Sequence, residues 1–301
     1  MKQKTSSVLL ILAAGCMWGC MGLLVRPLTT IGLDTMEICF LRALITFLTM
    51  LAGLLIADRS AFSIHLKDIW CFIGTGAFSV TFFNFCYFKT ITLTSLSVAA
   101  VLLYMSPAFV MIMSFFLFKE KITKVKIAAL FIAFTGCVLV SGIGTGGDLN
   151  AAGILTGLGA GFGYALYSIF GRYALQRGYH SMTITFYTFL FATLATVFFV
   201  DVPDIADKIS AAPMTGVYGG FMILFVTLFP YLCYTKGLSG LENTTASVIA
   251  SIEPVVATVL GVIIYGETPN PITFLGIVCV LGSIVILNKK ERKGLVIWKE
   301  K

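Results

Sequence analysis

The chain has 301 residues, of which 58% are hydrophobic and only 12% charged, with a formal net charge of +7 and a mean hydropathy of +0.97. Soluble domains carry about 25% charged residues, so this composition excludes a globular protein with a water-facing surface. Apolar stretches of about 20 residues recur throughout, each long enough to cross a ~30 Å hydrocarbon core. They are continuous rather than alternating, which favours helices over a barrel.

In chain order, ten spans are expected, at about 7–26, 35–57, 69–88, 95–117, 125–142, 151–172, 181–200, 214–235, 244–265 and 270–288. The first follows Lys2 and Lys4 as a signal peptide would, but no small-residue cleavage site succeeds it and its pattern returns in the sixth. The longest connection, Asp201 to Pro213, is acidic and carries one lysine. Lysine and arginine divide 17 to 3 between alternate sides, with Arg42 inside a span. By the positive-inside rule both termini are cytoplasmic. The basic pI is thus a membrane-surface signature, and nucleic acid is not an expected partner. The eight cysteines all fall inside spans, so they are read as small apolar residues rather than a disulfide framework.

The second half repeats the first at an offset of 146–147 residues. Tyr87 matches Tyr234, Lys89 matches Lys236, Pro107 matches Pro254 and Glu120 matches Glu267 at 147; Gly15 matches Gly161, Trp18 matches Tyr164, Arg26 matches Arg172 and Gly136 matches Gly282 at 146. A copy that begins after five spans enters the membrane from the opposite side. The expectation is an all-α membrane protein of ten transmembrane helices in two inverted five-helix repeats, residues 1–142 and 151–288. A connecting loop, 143–150, and a basic cytoplasmic tail, 289–301, complete the chain. Such architecture places a site near the midplane between the halves.

Ionisable groups within spans are costly and mark function. Glu253, roughly 13 Å into the ninth span at 1.5 Å per residue, directly precedes Pro254, which frees a backbone carbonyl one turn earlier. It suits gating, substrate contact or proton transfer, with a structural carboxylate as the alternative. Arg42 lies at similar depth in the second span. Glu37 is on another face of that helix, so the partner of Arg42 is expected on another helix or on an anionic substrate group. Trp18, Asn84, Tyr87, Tyr104, Ser106, Tyr164, Tyr167, Ser168, Tyr231 and Tyr234 supply the aromatic and neutral polar groups that could line a cavity or bond between helices. Gly153, Gly157, Gly161 and Ala165 form a smooth stripe for close helix packing, as do Gly15 and Gly19. Pro107 and Pro254 are candidate hinges. Glu120 and Glu267, at span ends, read as solvated or loop-bonded. There is no HExxH metal site and no P-loop, so neither an enzyme nor a cofactor is expected.

Ala14…Trp18-Gly19, Asp34…Arg42, Ser97-Val98-Ala99…Pro107…Glu120 and Ala246-Ser247-Val248…Glu253-Pro254-Val255…Glu267 resemble EamA-type transporters of the drug/metabolite transporter superfamily, over about residues 7–288. The resemblance implies export or exchange of small metabolites such as amino acids, with a central cavity lined by the first four spans of each half and the fifth and tenth to the side. The expected setting is the plasma (inner) membrane. The expected partners are a metabolite, membrane lipids and, if transport is coupled, protons; the protein would be a monomer or homodimer. A lipid or glycan-carrier flippase and a membrane-embedded sensor or assembly subunit are the rival readings.

Overall fold

The computed structural model describes residues 2–57, 59–141, 151–268 and 271–299, and the described residues are helical throughout, without strands. Eight helices are long and apolar enough to cross a membrane: α1 Lys4–Thr30, α2 Thr35–Ile56, α3 Leu66–Leu93, α4 Leu96–Phe118, α6 Ala151–Gln176, α7 Ser181–Phe199, α8 Pro213–Leu238 and α9 Asn243–Tyr265. Helix α5, Lys124–Val140, has 17 residues, and α10, Pro271–Lys299, has its apolar part at Pro271–Leu287. Large apolar side chains crowd the outside: Phe116, Phe131, Leu155, Phe221 and Ile263 are each more than two-thirds exposed. Water would penalise that surface and hydrocarbon does not.

Helix ends follow local chemistry. Asp34 Oδ1 accepts from the Glu37 amide at 2.8 Å and Glu37 Oε2 accepts from the Asp34 amide at 2.8 Å, a reciprocal cap that opens α2. Ser95 caps α4 through the Val98 amide and Thr123 caps α5 through the Lys126 amide, both at 3.3 Å. The segment expected as a loop after Asp201 contains a short helix, Val202–Ala211. Asp201 caps it, Pro203 occupies its first turn, and Ile205 is buried. Lys208 on this helix reaches Glu37 Oε2 at 2.9 Å and Asp204 at 2.5 Å, tying it to the start of α2. The Lys208 bond holds the Asp204 carboxyl below its ordinary range. Helix α10 runs on to Lys299, into the stretch read as a tail, as its Lys, Glu and Arg residues favour. The glycine-rich connector around Asp148 lies outside the described residues.

Besides a turn at Cys20 in α1 and a 3-10 end at Val197–Phe199 in α7, four rods are irregular in matched places. Helix α4 breaks at Tyr104–Met105 and α9 at Ser251–Ile252, 147 residues later. Helix α3 winds as a π-helix over Gly74–Thr81 and α8 over Leu224–Leu228. Each break is met by a glycine of another rod. A Cβ on Gly15 in α1 would lie 2.5 Å from the Ile252 side chain and 3.0 Å from the Ala250 oxygen. One on Gly161 in α6 would lie 2.8 Å from the Leu102 oxygen. The small-residue stripes therefore serve close backbone approach between rods, with α1 against α9 and α6 against α4.

Helices α5 and α10 pack extensively on each other and join the rest through Ala129, Ala133 and Leu287 packed on Val248 of α9. Their backbones touch where Gly136 meets Gly276: a Cβ on Gly136 would sit 2.8 Å from the Gly276 oxygen. Gly282, the residue that the repeat offset assigns to Gly136, faces open space. Replacing Gly136 with leucine should force the pair apart and cost about 2 kcal/mol, the usual scale of overpacking. Gly282→Leu should leave the melting temperature in detergent unchanged. Equal melting of the two variants would remove Gly136 as the contact that sets this crossing.

Candidate functional site

The centre of the molecule is an aromatic cluster built by α1, α3, α6 and α8. Trp18 packs against Tyr231 and Tyr234 with ring centroids 5.4 and 5.3 Å apart, and against Tyr164 at 6.2 Å. Tyr167 stands edge-on to Tyr231 at 4.9 Å, and Phe83 meets Tyr164 at 5.4 Å. Edge-on aromatic pairs fix each other's orientation. Hydrogen bonds hold the hydroxyls: Tyr167 with Thr235 at 2.6 Å and Tyr234 with Ser168 at 2.7 Å. These rings surround a small cavity that Ser79 also lines, its hydroxyl donating to the Gly163 oxygen at 2.8 Å.

A second small cavity adjoins it, and Tyr164 borders both. The two broken helices meet there. Tyr104, Ser106 and Pro107 come from the α4 break, and Ser247, Ser251 and Glu253 from the α9 break. Pro107 and Pro254 both sit in the first turn of the resumed helix, where a missing amide proton costs nothing. Glu253 is the first residue of its resumed segment, so its carboxylate sits at the positive end of a helix dipole. Tyr164 lines the same cavity beside it.

Arg42 approaches from α2. Its Nε donates to Thr227 Oγ1 at 2.9 Å, inside the π-helical stretch of α8. It acts electrostatically on both Glu253 and Tyr231, yet among the described residues no carboxylate lies within ion-pair distance of it. Its hydrogen-bond partner is thus on another helix, as the faces of α2 require, but is a hydroxyl. Glu37 is committed to Lys208 instead.

Of the side chains singled out from sequence, Trp18, Tyr164, Tyr167, Ser168, Tyr231 and Tyr234 share the first cavity, and Tyr104, Ser106, Pro107 and Glu253 share the second with Tyr164. Tyr87 packs beside Phe83 and feels the charge of Glu253. Asn84 turns back to the Val80 oxygen of its own helix at 2.7 Å and lines neither cavity. Ser79, Phe83, Ser247 and Ser251 line the cavities without having been singled out. The signal for the last two was their spacing: Ser247 and Ser251 are one turn apart, and Ser251 lies two residues before Glu253.

The Arg42 anchor can be isolated. Thr227→Val should leave Nε without its acceptor and cost about 1 kcal/mol. Thr227→Ser should retain wild-type stability in the same thermal melt. Indistinguishable melts for valine, serine and wild type would show that the bond is not maintained.

A model of the EamA-like transporter family matches the chain twice, at residues 5–142 and 151–289. Among the relatives are two transporters of Bacillus subtilis (strain 168), both described as uncharacterized. YxxF is 25% identical over 98% of this chain and 94% of its own length, and YetK is 24% identical over 87% and 81%. A crystal structure of a protein 17% identical to this one superposes with a TM-score of 0.79, covering 96% of this chain and 98% of that one, and so shares the fold. With family matches spanning both halves of a bundle of apolar helices, this multi-pass membrane protein belongs to the EamA-like transporter family.

Proposed function

We propose that this protein is a secondary transporter, exporting or exchanging small metabolites such as amino acids by alternating access. Its cavity lies between two five-helix halves of opposite orientation, in the plasma (inner) membrane, with both termini cytoplasmic. The observation that carries the reading is Glu253 in the second cavity, between the two helix breaks, with Arg42 of α2 acting on it electrostatically. Two opposite charges occupy one interior without an ion pair between them. Leaving charges in a low-dielectric interior is costly unless something completes their pairing. A zwitterion can do so, with its ammonium toward Glu253 and the tyrosine faces and its carboxylate toward Arg42. A gradient or simple facilitation would drive the movement.

The inverted arrangement has three supports: the two family matches, the helix breaks 147 residues apart, and the 17-to-3 division of basic residues. Pro107 and Pro254 are the hinges of this scheme, because each marks the point where a rod resumes after its break.

The functional test is uptake and efflux in reconstituted vesicles, using a metabolite panel with and without a pH gradient. Glu253→Gln preserves shape and removes the charge. Flux should fall at least about tenfold, which corresponds to the loss of one charge-assisted contact, while insertion and melting are retained. Wild-type flux in that variant would remove Glu253 from the mechanism.

Topology is tested separately. A label introduced beside Asp148 should react only from the face opposite the two termini. Reaction of all three from one face would exclude opposed halves.

A further inference from the structure

The two broken helices have the same local design but different surroundings at their two ends, and the difference falls on Glu120 and Glu267. Each follows a left-handed residue, Lys119 at φ 56° and Gly266 at φ 66°. Each amide returns to a carbonyl six residues back: Glu120 to Ser114 at 3.2 Å, Glu267 to Gly261 at 3.1 Å. All these positions differ by 147.

Their carboxylates do different things. Glu120 clasps the N-terminus of α9, where Oε1 accepts from the Asn243 amide at 2.7 Å and Oε2 accepts from the Thr244 hydroxyl at 2.9 Å and its amide at 3.3 Å. Arg172, from α6, donates to Asn243 Oδ1 at 2.7 Å and to the Leu241 oxygen. Behind this clasp every residue of Asn243–Ala250 is buried. At the matching place 147 residues earlier, Leu96–Leu103 has only Ala99 and Leu103 buried, and Leu96 is 62% exposed. Glu267 does not reach that N-terminus. It pairs with Arg26 at 2.7 Å, both side chains half exposed, and Arg26 lies over the Tyr265 ring. Arg26 and Arg172 are themselves repeat partners.

We infer that Glu120 and Glu267 are the paired gate residues of one two-state device, an inference that rests on the inverted-repeat transporter reading. In the present state Glu120 closes the Asn243 end and the Ser95 end is open. In the opposite state Glu267 caps the amides of Leu96 and Ser97, the positions that match Asn243 and Thr244, with Arg26 taking the part that Arg172 plays now, while Glu120 releases Asn243. A carboxylate accepting from the first amides of a helix is favoured by both hydrogen bonding and the helix dipole, so each closure has the same physical source. The two ends are not equally equipped. Asn243 also donates to Ser114 Oγ at 3.1 Å, whereas the matching positions are Leu96 and Gly261. The Asn243 closure therefore has more bonds, and the present state is the resting one.

The test uses the full chain in membrane vesicles and a membrane-impermeant maleimide applied from the face that carries Asn243. The reporter is Ser247→Cys, buried behind the clasp. Peptide mass spectrometry at position 247 reads its labelling, so the native cysteines stay in place. Glu120→Gln should raise the labelling rate about tenfold, the equivalent of one charge-assisted bond. Glu267→Gln should lower it, and the double variant should return toward the parent rate. Shifts of the same sign, or no rise with Glu120→Gln in protein that still elutes as a folded species, would overturn the paired gate. Opposed shifts in a protein that moves no metabolite would keep the gate and discard the transport reading. Flux with same-sign shifts would do the reverse.

Discussion

The arrangement depends on one constraint, that a helix interrupted inside a membrane must have its freed backbone groups covered by protein. Helices α4 and α9 both break near mid-length, and each break is pressed against a glycine of another rod, Gly161 and Gly15 respectively. A side chain at either glycine would occupy the space of a main-chain oxygen or of Ile252. The close approach brings Trp18 and Tyr164, on the same two rods, to the edge of the breaks. The aromatic cavity and the glycine contacts are therefore products of one packing decision.

Much of this was legible in the chain. Helical content followed from the length and continuity of the apolar runs. The stripes at Gly15 and Gly153–Gly161 announced backbone contact, and Pro107 and Pro254 marked the resumption points of two helices. The aromatic residues converge because Trp18 of α1, Tyr164 of α6, and Tyr231 and Tyr234 of α8 pack together across three rods. What was not legible is more local. No periodicity distinguishes a buried rod end from an open one, so Glu120 and Glu267 looked alike in sequence although one clasps a helix terminus and the other faces an arginine. The Val202–Ala211 helix was hidden by its brevity, since ten residues with two acids resemble a loop until Ile205 is seen to be buried.

Charge placement follows the same economy. Glu37, nearly fully buried, is satisfied by its own helix start and by Lys208. Lys126, also buried, is satisfied by the Lys121 oxygen at 2.9 Å and by Glu242 at 2.6 Å. Both lie near rod ends and are fully committed to protein partners. Arg42 and Glu253 lie deep; Arg42 donates to the neutral Thr227 hydroxyl, and neither is in an ion pair among the described residues. Buried charges with structural roles are usually paired, so this pair stands apart from the other buried ionisable groups.

The wide turns in α3 and α8 bear on how faces are assigned along those rods. A π-helical stretch carries an additional residue per turn, so the wheel drawn for residues before it is out of phase with the wheel drawn after it. Ser79 and Phe83 address the chamber while Asn84, the next residue, folds back onto its own backbone. A heptad or 3.6-residue projection carried through Gly74–Thr81 would assign the downstream side chains of α3 to the wrong azimuth, and the same holds for α8 beyond Leu228.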